Sequence, residues 1–168
     1  MAHIAHRTST TDTANSGQER HYWLLGKKFT IIADEHDTEG RYDLIEGAPE
    51  PGHYTPLHLH TRYSETIIVL TGETTIWAGD RTLILRAGDH FVIPAGVPHV
   101  VGATGTGPSR GLVIASPSGF ARLIQEGGTP DAGTPPPAPT VEEIERFDRI
   151  AQSLGDKILG PPGTFPTS

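Results

Sequence analysis

The sequence predicts an all-β fold, a small sandwich or barrel of short strands that is followed by a helical extension. Between residues 22 and 116, β-leaning runs of four to seven residues alternate with turn sequences such as Gly79-Asp80. Twenty glycines and fifteen prolines in 168 residues fit this large number of tight turns. The predicted strands cover residues 28–33, 41–46, 54–60, 65–70, 74–78, 82–86, 90–93, 99–103 and 110–115.

The sequence pattern divides the chain into three parts. Residues 1–20 are polar and show no periodicity, which predicts a flexible N-terminal arm. Residues 21–116 form the predicted β-domain, a length that is sufficient for one hydrophobic core. Residues 117–168 are predicted to contain C-terminal helices, a Pro-rich linker at 127–139 and a Pro-rich tail.

Two helices are predicted after the strands. The first would begin after Ser116, an N-cap residue that is followed by a proline. The second would begin after Thr140, which forms a capping box with Glu143. The inward-facing residues of the first helix are predicted to be Phe120, Leu123 and Ile124. The second helix has an apolar stripe that would pack against the barrel or a second subunit, formed by Val141, Ile144, Phe147, Ala151 and Leu154.

Composition and charge exclude several classes of function. The formal net charge of −7 argues against a nucleic-acid partner, because such proteins usually carry a basic surface. The chain has no cysteine, so disulfides, thiolate metal sites and cysteine nucleophiles are excluded. The longest apolar runs have strand length, and residues 1–20 lack a hydrophobic core. We therefore expect a cytoplasmic protein with no membrane contact.

Three residues with metal-binding side chains lie close together in the sequence. His58 and His60 are two positions apart on a predicted strand, so their imidazoles should point to the same face. Glu65 follows after a turn and can occupy the neighbouring antiparallel strand. Two histidines and a carboxylate that converge in a barrel interior commonly hold a divalent metal.

A second segment can bring a third imidazole to the same cavity. His99 begins a predicted strand just after the turn Pro94-Ala95-Gly96. Val97 and Val101 alternate with it, so His99 is expected among apolar neighbours. A charged imidazole would be costly in such surroundings, whereas a neutral one bound to a metal is not.

Both segments resemble the two sequence motifs of the cupin family. The first motif, G-x5-H-x-H-x3,4-E-x6-G, and the second, G-x5-P-x-G-x2-H-x3-N, together cover about a third of the chain. Ala103 stands where the second motif often has an asparagine, which is commonly not a ligand in the family. The positions that match are Gly52, His58, His60, Glu65, Gly72, Gly88, Pro94, Gly96 and His99.

The resemblance implies a single cupin domain, which is a double-stranded β-helix or jelly-roll barrel. It further implies that His58, His60, Glu65 and His99 bind one divalent transition metal. An imidazole and carboxylate donor set suits iron, manganese, nickel, cobalt, copper or zinc. Fold alone does not assign a function, because cupins include enzymes, sugar-binding sensors and storage proteins.

A narrower resemblance links the segments around 116–120 and 158–162 to bacterial cupins of the quercetin-dioxygenase-like group. It implies a metal-dependent dioxygenase that acts with O₂ on a flavonol-like or other enolisable aromatic substrate. Glu65 would then serve both as ligand and as the general base. Two alternatives stay open: an oxygen-independent cyclase or isomerase of a polyketide-like substrate, and a cupin that binds a small molecule without turnover.

The alternation of side chains also suggests pocket residues and an oligomeric state. Four residues are expected to line the cavity: Tyr54, Ile67, Val69 and Val101. Single cupins usually pair, because one barrel leaves an open strand edge and an apolar face. We therefore expect a homodimer, with residues 28–33 and 141–154 as the candidate contacts.

Overall fold

The computed structural model describes residues 20–167, so most of the predicted N-terminal arm lies outside the described residues. Two antiparallel sheets dominate the described chain, with strand orders β11-β1-β2-β3-β10-β5-β8 and β12-β4-β9-β6-β7. The elements are β1 (His21–Leu24), β2 (Lys27–Ala33), α1 (Glu35–Thr38), β3 (Asp43–Gly47), β4 (Leu57–His60), β5 (Ser64–Thr71), β6 (Glu73–Ala78), β7 (Arg81–Arg86), β8 (His90–Ile93), β9 (His99–Gly102), β10 (Arg110–Ser116), α2 (Phe120–Gly127), β11 (Thr129–Pro130), α3 (Val141–Leu154) and β12 (Asp156–Gly160).

The all-β prediction with a helical extension is confirmed, and each predicted strand has a counterpart in the two sheets. The largest difference is at β4, which begins at Leu57 and not at Tyr54. Pro56 has no backbone N–H to donate to a sheet, so regular pairing begins only after it. Tyr54 retains a single isolated bridge to Gly102.

Two apolar clusters hold the fold together. One lies between the two sheets and includes alternate residues of β5 such as Ile67 and Val69. The other joins the seven-stranded sheet to α2 and α3, with Ile45, Ile124 and Phe147 among its buried members. The predicted inward face of α2 is therefore confirmed, since Leu123 and Ile124 are buried and Phe120 packs against them.

The start of α2 differs from the prediction. Ser116 ends strand β10, and the helix begins only at Phe120 with Gly119 at the N-cap. The cap comes from a distant residue: the buried carboxylate of Asp43 accepts hydrogen bonds from the backbone N–H groups of Gly119 and Ala121, at 2.7 and 3.0 Å. The contact with Asp43 therefore determines where the helix begins, and the local sequence Ser116-Pro117 does not.

We expect Asp43→Ala to lower the free energy of unfolding by about 1–3 kcal/mol, because two buried N–H donors would lose their acceptor. Urea unfolding followed by circular dichroism measures the change. Glu39→Ala is the control, since that side chain is 81% exposed and its loss should change stability by less than about 0.5 kcal/mol. Equal stability of the two variants would contradict the assigned capping role.

The capping box at the start of α3 is confirmed. The Glu143 N–H donates to the Thr140 hydroxyl, and the Thr140 N–H donates to the Glu143 carboxylate. The apolar stripe is only partly buried. Phe147 and Ala151 lie in the core, whereas Val141 is 71% and Ile144 is 42% exposed. The first turn of α3 therefore lies outside the core, and its apolar side chains are exposed.

After α3 the chain re-enters the barrel as a strand that the sequence analysis did not predict. β12 pairs antiparallel with β4, and Asp156 lies opposite His60 in the register. The strand lies at the edge of the five-stranded sheet, next to the strand that carries two of the candidate ligands. The C-terminal segment thus contributes directly to the environment of the site.

None of the helices within residues 20–167 is both long enough and apolar enough to cross a membrane.

Candidate metal centre

Strands from both sheets bring the four predicted ligands together. β4 carries His58 and His60, β9 carries His99 opposite His58, and β5 carries Glu65 on its inward face. The nearest ligand atoms of all four residues lie within 4.8 Å of one another. His60, Glu65 and His99 are buried, whereas His58 is partly accessible and lines the adjoining cavity.

Each imidazole is oriented by a hydrogen bond on the side away from this cluster. The Nδ1 atoms of His58 and His99 lie 2.9 Å from the carbonyl oxygens of Pro56 and Val97. A carbonyl oxygen can only accept, so both Nδ1 atoms carry hydrogen and donate it. The Nε2 atom of each ring is therefore the one that faces the cluster, and without its hydrogen it offers a lone pair there.

His60 is oriented in the same way by a carboxylate. Its Nδ1 lies 2.8 Å from the Oδ1 atom of Asp156, and its buried Nε2 has no hydrogen-bond partner. Tyr63 stacks on the His60 ring with centroids 4.2 Å apart and donates its hydroxyl hydrogen to Asp156 over 3.2 Å. A metal-ligating histidine usually has one ring nitrogen fixed by a hydrogen bond while the other is left to bind the metal, and the Nδ1 and Nε2 atoms of His60 fit this description.

The distances in the cluster fit a shared cation. Two ligand atoms that are each about 2.1 Å from one ion, at angles of about 90–109°, lie about 3.0–3.4 Å apart. The Oε2 atom of Glu65 lies 3.1 Å from Nε2 of His99 and 3.5 Å from Nε2 of His60. The Glu65 carboxylate therefore favours a positive charge on the Nε2 side of these rings, which either a proton or a divalent cation can supply. The residues present therefore fit a metal of the predicted class.

The protonation states in the metal-free cluster differ from ring to ring. Burial holds the pKa of His58 well below its usual value, so this ring is neutral. Burial would also lower the pKa of His60, but the Asp156 and Glu65 carboxylates outweigh it and raise the pKa to about 9. Burial opposes ionisation of Glu65, yet its contacts with His60 and His99 hold its pKa well below normal.

Metal binding at about pH 7.5 should therefore release at least the one proton that His60 holds. Glu65 is already ionised and His58 already neutral, while His60 holds a proton below its pKa of about 9. The apparent affinity should rise about tenfold for each pH unit between 6.5 and 9. Calorimetric titration with Zn²⁺ in two buffers of different ionisation enthalpy measures the proton count. A count near zero at pH 7.5 would contradict this assignment.

Sequence reasoning missed Asp156 and the buried position of Tyr63. Asp156 follows Gly155 directly after α3, and no motif connects it with His60, which lies 96 residues away. One signal could have indicated Asp156, namely a polar residue at the start of a short apolar strand. Tyr63 lies two residues before Glu65 and is only 2% exposed, because its ring is covered by His60 and Gly119.

A cavity of about 140 Å³ opens beside the four ligands. Ile67, Val69 and Val101 line it, as the alternation of β5 and β9 suggested. Tyr54 does not line it, which corrects the expectation for that residue. Gly102 has no side chain, so the Tyr54 ring lies over it and packs against Trp77 and Phe165, with centroids 5.9 and 6.0 Å away.

The comparisons with known proteins agree with this fold and site. Residues 48–115 match the family model described as "Cupin domain". This segment of the barrel therefore resembles a cupin domain, and the chain is similar to the quercetinase-like bacterial cupins. Quercetin 2,3-dioxygenase of Bacillus subtilis (strain 168) is 30% identical over 84 residues, which is half of this chain and a quarter of that enzyme.

Two solved structures show the same fold at low sequence identity. KdgF from Halomonas sp. superposes with a TM-score of 0.51 and 20% identity, over 57% of this chain and 84% of that one. Vicilin from Corylus avellana (hazelnut) gives a TM-score of 0.52 and 16% identity, over 60% of this chain and 32% of that one. The predicted double-stranded β-helix is thereby confirmed.

Proposed function

We propose that this protein is a metal-dependent dioxygenase that acts on a flavonol-like or other enolisable aromatic substrate. The observation that carries the proposal is the position of Glu65, an ionised carboxylate among three imidazoles at the wall of an apolar cavity. The match to the Bacillus subtilis quercetin 2,3-dioxygenase supports the choice of substrate class. That match covers a quarter of that enzyme.

The residues have separate tasks in this proposal. His58, His60 and His99 hold the metal, and their Nδ1 hydrogen bonds fix the direction of each ring. A bound divalent ion supplies Lewis acidity, which makes a nearby substrate hydroxyl more acidic. Glu65 accepts the proton from that hydroxyl, because a carboxylate on a flexible side chain can turn toward the cavity while the rings stay fixed. The apolar walls formed by Ile67, Val69 and Val101 exclude water from the resulting anion.

The direct test is to load metal-free protein separately with iron, manganese, cobalt and nickel, and to follow flavonol absorbance together with O₂ uptake. Oxygen consumption that matches substrate loss supports the proposal, and His99→Ala is the inactive control. No oxygen uptake with any metal and any polyphenol would refute it. Turnover under strict anaerobiosis would instead indicate the cyclase or isomerase, and binding without product would indicate the non-catalytic alternative.

We also propose that the chain forms a homodimer through strand β2 and helix α3. The exposed Val141 and Ile144 on α3 and the exposed Ile32 on β2 support these contacts. Sedimentation velocity at micromolar concentration should give twice the mass of one chain, and Ile144→Lys should shift the population toward the monomer. A wild-type monomer under these conditions would contradict the proposal.

A further inference from the structure

The cavity beside the candidate metal centre carries two lysines on an otherwise mostly apolar wall. Lys27 and Lys28 both line it, and both belong to strand β2. Apart from these two, the charged residues of the lining are Glu65 and Asp156, which already belong to the centre or orient it. The two lysines are therefore the positive charges that a molecule in the cavity would meet away from the ligands.

The two lysines differ in their surroundings. The ammonium group of Lys28 lies 2.6 Å from the Asp131 carboxylate and 6.0 Å from the centre of the Trp23 ring. Lys27 has no ion pair or hydrogen bond from its side chain to any residue between 20 and 167. Burial without such a partner lowers the pKa of Lys27 to about 8. A cation in this state is stabilised by an anion that enters the cavity.

The local backbone places Lys27 at the wall of the cavity. Strands β1 and β2 are joined by the two-residue turn Leu25-Gly26, and Leu24 pairs with Lys27 across it. Both turn residues have positive φ, 49° for Leu25 and 75° for Gly26, as a tight hairpin turn of this length requires. Leu24 and Leu25 also line the cavity, so the tip of this hairpin forms part of its wall. A short turn of this kind limits the movement of Lys27.

We propose that Lys27 binds a carboxylate of the substrate, so that the substrate is an aromatic acid whose enolisable or phenolic end reaches the metal centre. This inference rests on the proposed function and narrows it from the flavonol-like class to the other enolisable aromatic substrates, because a flavonol carries no carboxylate. The cavity of about 140 Å³ is close to the roughly 150 Å³ that encloses a benzene ring. A single-ring acid therefore fits a space that both the candidate metal centre and Lys27 border.

The test compares binding of two probes that differ only in charge, 3,4-dihydroxybenzoate and 3,4-dihydroxybenzamide. Zn²⁺-loaded protein is titrated calorimetrically without oxygen, so that no turnover is needed. Wild-type protein should bind the acid about tenfold more tightly than the amide, or better. Lys27→Gln should bring the two affinities to within about twofold of each other, a difference of about 0.4 kcal/mol at most. Lys27→Arg should preserve the preference because it keeps the charge.

Lys28→Gln is the matched control, since it removes the neighbouring lysine that is already paired with Asp131. This variant should retain the preference for the acid. Equal binding of both probes by wild-type protein would overturn the proposal, and so would a preference that survives in Lys27→Gln. Because binding is measured without catalysis, these results are independent of whether the protein consumes O₂. Zinc content of each variant confirms that the metal centre is intact.

Discussion

Glu65→Gln should reduce turnover of the proposed dioxygenase by about 10²- to 10⁴-fold, the usual contribution of a general base. Glutamine keeps the size of the side chain and one oxygen donor, but its amide does not accept a proton at neutral pH. In the native protein the carboxylate is ionised, because its contacts with His60 and His99 outweigh the effect of burial on its pKa. The substitution therefore removes the proton acceptor while it leaves the three imidazoles in place.

Steady-state rates and metal content measured on the same samples separate the two roles of Glu65. Lost turnover with metal retained identifies it as the base, whereas loss of both would make it chiefly a ligand. Glu126→Gln is the control, because that residue lies on the exposed side of α2 in an ion pair with Arg122. Near-normal turnover in Glu65→Gln would remove Glu65 from the mechanism.

Asp156→Asn should weaken metal binding by about 10- to 100-fold, as is typical when the acceptor behind a ligating histidine is altered. The Asp156 carboxylate lies 2.8 Å from Nδ1 of His60 and also accepts the Tyr63 hydroxyl hydrogen. Asparagine is neutral, so its hydrogen bond to Nδ1 of His60 is weaker. The ring is then less basic and less firmly oriented. Competition with a chromophoric chelator measures the affinity.

A second measurement distinguishes this positioning role from a general loss of structure. Without the Asp156 charge the pKa of His60 should fall from about 9, so fewer protons should be released on metal binding at about pH 7.5. Lys157→Gln alters the adjacent, exposed position of β12 and should change neither quantity. Unchanged affinity in Asp156→Asn would show that Pro56 and Val97 carbonyls suffice to orient the site.

The candidate ligands could be predicted because their geometry depends on short segments of chain. The two-residue period of a strand places His58 and His60 on one face. The turn after His60 brings Glu65 back to them, but on β5 of the facing sheet and not on the adjacent paired strand that we expected. The same alternation placed Ile67 and Val69 on the cavity wall. In each of these cases the side-chain direction follows from the local backbone alone.

The features that were missed depend on pairs of residues that are far apart in sequence. Asp43 caps α2 from 76 residues away, and this contact outweighs the local signal at Ser116. Asp156 reaches His60 only because β12 pairs with β4. Tyr54 leaves the cavity because Gly102 offers space for its ring. Periodicity cannot indicate such contacts, since each is decided by which strands and helices become neighbours.

The pairing of β12 with β4 also sets an order of events during biosynthesis. His99 is the last of the four candidate ligands to be made, and Asp156 follows 57 positions later (156 − 99 = 57), which takes about 3–11 s at ordinary ribosomal rates. During that interval all four candidate ligands have been synthesised, but the carboxylate that orients His60 has not. A fully oriented centre therefore forms only after the C-terminal strand has been made and has paired with β4.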